Sequence, residues 1–316
     1  MVVIGDDAAG SVLHGLYRQL PGVLREPLVK SGMKVKNLRE IRLRAKRPVM
    51  LNTDHGELFL TKEGTVANDF KYALCFSSKE LWNILEYFCD SSIYAYGEEI
   101  KKGFLTLSGG HRVGICGSVC NEAGGISSVR YVTGLNIRVA HEKKGVANQI
   151  IDGLFLDQKF LNTLVISSPG CGKTTLLRDI VRIISDQKMM NVSVVDERNE
   201  IAACYQGTPQ NDIGIRTDVI DNCEKLQGMQ IVLRVMNPQV IAVDEIGSSG
   251  EAEMINEIAK SGCKVIATAH CSGLEEVKDR KWIWPLIEQE LFKRIVVLQR
   301  DFSAKLYDNS GKELNL

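Results

Sequence analysis

The chain has 316 residues, with 39 Lys plus Arg against 39 Asp plus Glu and a formal net charge of zero. That length suffices for two domains with cores of their own, and the balanced charge supplies no global field to attract a polyanion, which leaves only a local basic patch for that purpose. No apolar run reaches the roughly eighteen residues of a membrane span, so work at a membrane implies recruitment to it.

Taken in order, the first thirty residues offer short helical candidates at Ser11 to Leu20 and Pro21 to Val29, with apolar positions suited to a core. Within Val35 to Leu51, the run Leu38-Arg39-Glu40-Ile41-Arg42-Leu43-Arg44 alternates apolar and charged side chains, as a half-buried strand does. Its charged face is either solvated or a seat for an acidic partner. Ser77-Ser78-Lys79-Glu80 has capping-box spacing, and Leu81, Ile84, Leu85 and Phe88 continue at helical intervals, which predicts a helix over about residues 78 to 90. Phe104 to Leu107, Val113 to Ile115 and Leu135 to Val139 read as strands between the glycine turns Ser108-Gly109-Gly110 and Gly124-Gly125. These elements predict a small α+β domain over residues 1–144, ending in the polar stretch Glu142-Lys143-Lys144-Gly145.

Beyond that stretch, residues 145–316 alternate strand and helix. Strands are expected near 161 to 167, 191 to 196, 239 to 244, 263 to 268 and 294 to 298, which implies a largely parallel sheet with crossovers. The residues after Asp301 suit a surface tail or a last hairpin. Nine cysteines, odd in number and scattered, follow no leader-like segment, the pattern of reduced cytosolic thiols. Cys116 and Cys120 lack a second pair with zinc spacing and are read as packing residues.

The chemistry centres on Ser167-Ser168-Pro169-Gly170-Cys171-Gly172-Lys173-Thr174-Thr175, set between an apolar run and a helical pattern. In such a loop over Ser168 to Thr175 the backbone N–H groups, which Pro169 alone lacks, converge on phosphates, Lys173 reaches the β and γ oxygens, and the Thr174 hydroxyl binds Mg²⁺ at the positive end of the helix. The usual G-x-x-x-x-G-K-[ST] pattern has glycine where Ser167 stands, but Gly170 and Gly172 keep the flexible positions.

Two apolar runs end in acidic pairs, Asp196-Glu197 and Asp244-Glu245. At the carboxyl ends of parallel strands both pairs would face the loop's crevice. Hydrolysis asks for one carboxylate in the outer coordination sphere of Mg²⁺ and another to orient or deprotonate water, and either pair offers these. Element order favours Asp244 and Glu245, since the first pair follows the loop after one helix only; Glu197 is then a second catalytic candidate. His270 also ends a strand, where it is placed to sense the γ-phosphate. An arginine commonly neutralises the transition state, often from a neighbouring subunit, and spacing does not choose among Arg112, Arg130, Arg138, Arg216 and Arg234.

Residues Leu233 to Gly247, followed by Ile266-Ala267-Thr268-Ala269-His270, resemble the Walker B and His-box region of type II and type IV secretion ATPases, whose Asp box corresponds to Asp196-Glu197-Arg198-Asn199-Glu200. Val195 to Arg198, Thr208 to Val219 and Asn237 to Ile241 are more closely similar to the stage III sporulation protein AA family, a likeness spanning residues 35 to 300 and including Gly110 to Gly117 and Leu135 to Arg138. The resemblance implies a RecA-like, ATP- and Mg²⁺-dependent ATPase domain behind a smaller N-terminal domain, and a homo-oligomeric ring of six. It also implies a cytoplasmic protein of the mother cell, peripheral to the forespore-facing membrane and partnered there by other stage III membrane proteins in a secretion-like channel. Related ATPases place N-domain arginines near the γ-phosphate, which promotes Arg112 and Arg138. Secretion ATPases carry Gly-Glu where this chain has Asp244-Glu245, so the division of labour between Glu197 and Glu245 stays open. A nucleotide-gated scaffold with little turnover is the alternative; no nucleic-acid partner is expected, because the chain lacks an aromatic-basic stretch.

Overall fold

A computed structural model describes residues 15–122 and 125–314. Contacts divide the chain into two compact units, Met1–His141 and Glu142–Leu316. No helix among the described residues is long and apolar enough to cross a membrane.

The first unit is one antiparallel sheet covered on one face by helices. Residues 15–19 are helical, residues 11–14 lying outside the described part, and α1 (Gly22–Lys30) follows. Leu16, Leu20, Leu24 and Leu28 form one buried stripe along these turns. The strands are β1 (Leu38–Arg44), β2 (Met50–Thr53), β3 (Gly56–Leu60), β4 (Val66–Ala67), β5 (Phe104–Thr106), β6 (Arg112–Glu122) and β7 (Gly125–Arg138), arranged β4-β3-β2-β1-β7-β6-β5. Helix α2 (Ser78–Phe88) starts at a reciprocal cap: Glu80 N–H donates to the Ser77 hydroxyl at 3.3 Å, and Ser77 N–H to the Glu80 carboxylate at 2.7 Å. Its buried Leu81, Ile84, Leu85 and Phe88 join Ile41, Val113 and Ile137 of the sheet in one core. A short helix, α3 (Gly97–Lys101), precedes β5.

The long β6–β7 hairpin exceeds the short strands expected around 113 to 115 and 135 to 139, and β2 to β4 were not anticipated. They are two to five residues long, and their apolar stretches, Met50-Leu51 and Leu58-Phe59-Leu60, are too short to show a strand period. One expectation fails here: Cys116 is exposed rather than packed. Val113 and Ile115 point into the core, so alternation turns Cys116 to the opposite face. The side chain of Cys120 lies outside the described set.

The second unit is an eight-stranded sheet with helices on both faces. After a small hairpin of β8 (Phe155–Leu156) and β9 (Lys159–Phe160), its elements are β10 (Thr163–Ser167), α4 (Lys173–Asp186), β11 (Val192–Asp196), β12 (Thr217–Asp221), α5 (Lys225–Val235), β13 (Val240–Val243), α6 (Ser249–Lys260), β14 (Lys264–His270), α7 (Leu274–Lys278), α8 (Trp284–Glu288), β15 (Arg294–Leu298), β16 (Ala304–Asp308) and β17 (Glu313–Leu314). The order is β12-β11-β13-β14-β10-β15-β16-β17, with parallel pairing from β12 through β15 and antiparallel pairing beyond. Strands β10, β11 and β13 are buried along their whole length, because α4 covers one face and α5, α6 and α8 the other. The edge strand β12 is acidic and half-exposed, so no apolar run announces it.

This topology puts the carboxyl ends of β11, β13, β14 and β10 side by side. Ser167 and His270 are register partners, and the pairs Asp196-Glu197 and Asp244-Glu245 leave their strands on the same edge. Chemistry gathers there because the crossovers return each strand in the same direction.

Candidate functional site

The glycine-rich loop leaves β10 at Ser167 and enters α4 at Gly172. Gly170 (φ 78°) and Gly172 (φ 88°) occupy the left-handed region, where a side chain costs backbone strain. Ser167 needs no such freedom: it is the last residue of a buried strand, and its hydroxyl donates to Ser168 O at 2.8 Å. A Cβ is therefore tolerated at the position where the familiar pattern has glycine. Ser168 and Thr175 are half-buried, Pro169 and Gly170 exposed, and Cys171 buried. Fourteen residues of α4 direct the positive end of its dipole at this loop.

Lys173 is buried, and burial pulls its ammonium below the usual range against the opposing pull of Asp244 and Glu245. Its Nζ meets His270 Nδ1 at 2.7 Å, and His270 Nε2 meets Glu245 Oε1 at 2.7 Å. Both contacts are satisfied together when Lys173 donates to Nδ1 and the neutral imidazole donates through Nε2–H. Arg198 Nη1 donates to the other Glu245 oxygen at 2.6 Å. Burial works to raise the Glu245 carboxyl, but His270, Arg198 and Lys173 outweigh it and hold the group below the ordinary glutamate range.

Asp244 faces the loop differently. One carboxylate oxygen accepts the Thr174 hydroxyl at 2.8 Å and the other accepts the Thr268 hydroxyl. Thr268 Oγ1 in turn accepts Glu245 N–H at 2.9 Å. Glu245 has a φ of 51°, an uncommon value for glutamate that turns its side chain toward His270 rather than along the strand direction. Thr174 and Asp244 together present hard oxygen donors with one negative charge, which fits Mg²⁺. A cavity of about 430 Å³ adjoins this cluster and is lined by Glu245, His270, Arg280, Lys281 and Trp282 among others.

The other acidic pair is split. Asp196 is buried and accepts N–H bonds from Glu200, Ile201 and Ala202 at 2.8, 3.0 and 2.8 Å. Burial nevertheless pushes its carboxyl up. Arg178 from α4 clasps the same loop through Glu200 O and Ile201 O, each at 2.6 Å. Asp196 thus organises a loop. Glu197 stands nearer the crevice, 3.8 Å from Lys225 Nζ.

Three participants had no assigned role in the sequence. Arg198 and Thr268 lay inside the stretches singled out for their neighbours. Lys225 is buried at the first position of α5, and its Nζ donates to Glu245 O at 2.6 Å with Glu251 Oε1 at 3.4 Å. A cation at the positive end of a helix is a local misfit, and that was its one signal.

In the first unit, Arg112 and Arg138 are cross-strand neighbours on β6 and β7, and Arg138 is also opposite Glu40 on β1. The Arg112 guanidinium lies 3.8 Å from the Phe104 ring centroid, and Arg138 Nε is 3.9 Å from Glu40 Oε1. Glu40 also accepts from Arg42 at 2.8 Å. Much of the charge alternation in Leu38–Arg44 is thus paired within the sheet.

The family described as sporulation stage III, protein AA matches residues 13–313. Stage III sporulation protein AA of Bacillus subtilis (strain 168) is 36% identical over 286 residues, covering 88% of this chain and 89% of that protein. Among solved structures, the Legionella pneumophila ATPase DotB aligns with a TM-score of 0.55 at 15% identity, over 90% of this chain and 79% of its own. The pilus retraction motor PilT with bound ADP aligns with a TM-score of 0.54 at 14% identity, over 87% of this chain and 76% of its own. At those identities the structural likeness concerns the mixed α/β fold. The chain belongs to the stage III sporulation protein AA family.

Proposed function

We propose that this protein is a Mg²⁺-dependent ATPase, with an N-terminal α+β domain over residues 1–144 and a RecA-like P-loop domain over residues 145–316. The observation that carries the reading is the convergence of Lys173, Thr174, Asp244, Glu245 and His270 at the carboxyl ends of adjacent parallel strands. Lys173 and the loop amides of Ser168 to Thr175 bind the ATP phosphates. Thr174, backed by Asp244, would hold Mg²⁺, and the ion would supply charge neutralisation at the phosphates. Glu245 orients and deprotonates the attacking water, and His270 links that carboxylate to the γ-phosphate end of the site through Lys173. Arriving phosphates compete with His270 for the Lys173 ammonium, so substrate binding frees the imidazole. Arg112 and Arg138 stabilise the transition state from a neighbouring subunit of a six-membered ring.

Family membership and the secretion-ATPase fold support the biological setting. The ATPase works in the mother cell, peripheral to the forespore-facing membrane, and with other stage III proteins drives or assembles a secretion-like channel. One feature favours the second reading, a nucleotide-gated scaffold: both Glu245 oxygens are engaged, by His270 and by Arg198, which suits low intrinsic turnover.

Steady-state hydrolysis by wild type, Glu245→Gln and Glu197→Gln under one Mg²⁺ concentration decides between them. We expect Glu245→Gln to lose about a hundredfold or more in turnover while retaining ATP binding, and Glu197→Gln to lose far less. The reverse ranking assigns the base to Glu197, and wild type that binds ATP without turnover even when its membrane partners are added selects the scaffold.

A further inference from the structure

The turn between β15 and β16 overhangs the glycine-rich loop. β15 runs parallel to β10, in register from Thr163 with Arg294 to Ile166 with Val297. Both chains therefore leave the sheet on the same edge, one into the loop and the other into residues 299–303. Phe302 in that turn reaches the loop itself: a Cβ placed on Gly172 would stand 3.6 Å from its Cδ1 and Cε1. The ring lies in van der Waals contact range of the residue that caps α4.

Nothing in the core accounts for this ring. It is 63% exposed, and its backbone has a φ of 65°, a conformation that is a genuine outlier for a bulky residue. The turn is tied down around it. Phe302 N–H donates to Gln299 O at 3.0 Å, Gln299 N–H to Ser303 O at 2.8 Å, and Asp301 accepts both the N–H and the hydroxyl of Ser303 at 3.0 and 2.7 Å. The Lys143 ammonium lies 5.3 Å from the ring centroid. A fixed turn thus holds a large apolar ring in solvent, against a phosphate-binding loop and beside a positive charge.

We propose that Phe302 is the platform on which the base of the bound nucleotide stacks. This deepens, and rests on, the nucleotide reading of the loop above. With the phosphates seated on the loop amides, the nucleoside extends past Gly172 and offers the flat face of its base to the ring. Stacking reads a π-face rather than a hydrogen-bonding edge. The platform therefore favours purine over pyrimidine nucleotides by ring area and separates adenine from guanine poorly.

Calorimetric titration of the full chain with Mg-ATP and with Mg-tripolyphosphate, which has phosphates but no base, tests this. Phe302→Ala should weaken ATP about tenfold and leave tripolyphosphate within about twofold of wild type. Phe302→Trp should keep ATP affinity and show indole quenching, beyond the wild-type signal, with ATP but not with tripolyphosphate. Should the alanine variant fail to fold, Phe302→Leu carries the same test, since it keeps an apolar side chain without a π-face. Equal weakening of both ligands makes the ring a prop for the loop and overturns the proposal, as does unchanged ATP affinity or absent quenching. Wild type that binds neither ligand removes the nucleotide reading itself, and the platform with it.

Discussion

The two units solve the placement of charge in opposite ways. In the second, parallel strands are buried on both faces, so carboxylates are expelled to the strand ends and collect along one edge. In the first, an antiparallel sheet buries one face only, and charge is spread across strands, as in the row Glu40, Arg138, Arg112. A doubly covered sheet concentrates its chemistry into a point, whereas a singly covered one displays it over a surface. Substitutions in the second unit should therefore be severe and local, and those on the open face of the first mild for the fold.

The severest test falls on Asp196. Its carboxylate takes three N–H groups of residues 200–202, those of Ile201 and Ala202 buried, and truncation leaves all three without that acceptor. Asp196→Ala should cost about 4 kcal/mol by denaturant unfolding, and Asp196→Asn, which keeps one acceptor oxygen, about half of that. A loss under about 1 kcal/mol for the alanine variant would mean the loop is held by Arg178 alone and that the edge is less cooperative than argued.

His111 is the exception that sharpens the contrast, a buried titratable group inside the first unit. Its Nδ1 accepts Ala140 N–H at 3.0 Å, while Nε2 has no hydrogen-bond partner among the described residues. Burial, with His141 adding repulsion, pushes the imidazole down from 6.5 to about 4. The unfolded chain therefore takes up a proton that the folded one refuses. Stability from this group is complete above about pH 6.5 and is lost as pH falls toward 4, by about 3 kcal/mol in all. Urea titrations across that window should show the slope in wild type and a flatter profile in His111→Gln, whatever that variant's absolute stability. An equal slope in both would place the acid sensitivity elsewhere.

The same contrast explains what was legible beforehand. Apolar runs ending in Asp-Glu are visible because double burial makes β13 uniformly apolar and β11 apolar but for Ser193, and the phosphate-loop pattern fixes its own strand and helix. The capping box of α2 is likewise local. Strand β12 leaves no signal because an edge strand carries polar residues at both alternations, and β2 to β4 leave none because they are too short for a period to show. Within the site, Lys173, Thr174, Asp244, Glu245 and His270 could be named from spacing. The roles of Lys225 and Arg198 depend on which strands become neighbours, and the split of Asp196 from Glu197 depends on how the following loop folds back. Those facts are tertiary and leave no periodicity to read.

The mildest expected effect on the fold is at Arg112. Opposed like charges on β6 and β7 cost a few tenths of a kcal/mol, and stacking on Phe104 returns a similar amount. Arg112→Gln should therefore shift stability by less than about 1 kcal/mol in either direction. That small effect makes the variant informative, because a chain that keeps its fold can be mixed with wild type and read for turnover alone. If it acts across a subunit boundary, folded Arg112→Gln chains mixed into wild type should depress ATP turnover more steeply than their fraction, each variant disabling a neighbour's site as well as any partnership of its own. A strictly proportional decline would confine Arg112 to its own chain, and a large loss of stability would return it to the sheet as a structural residue.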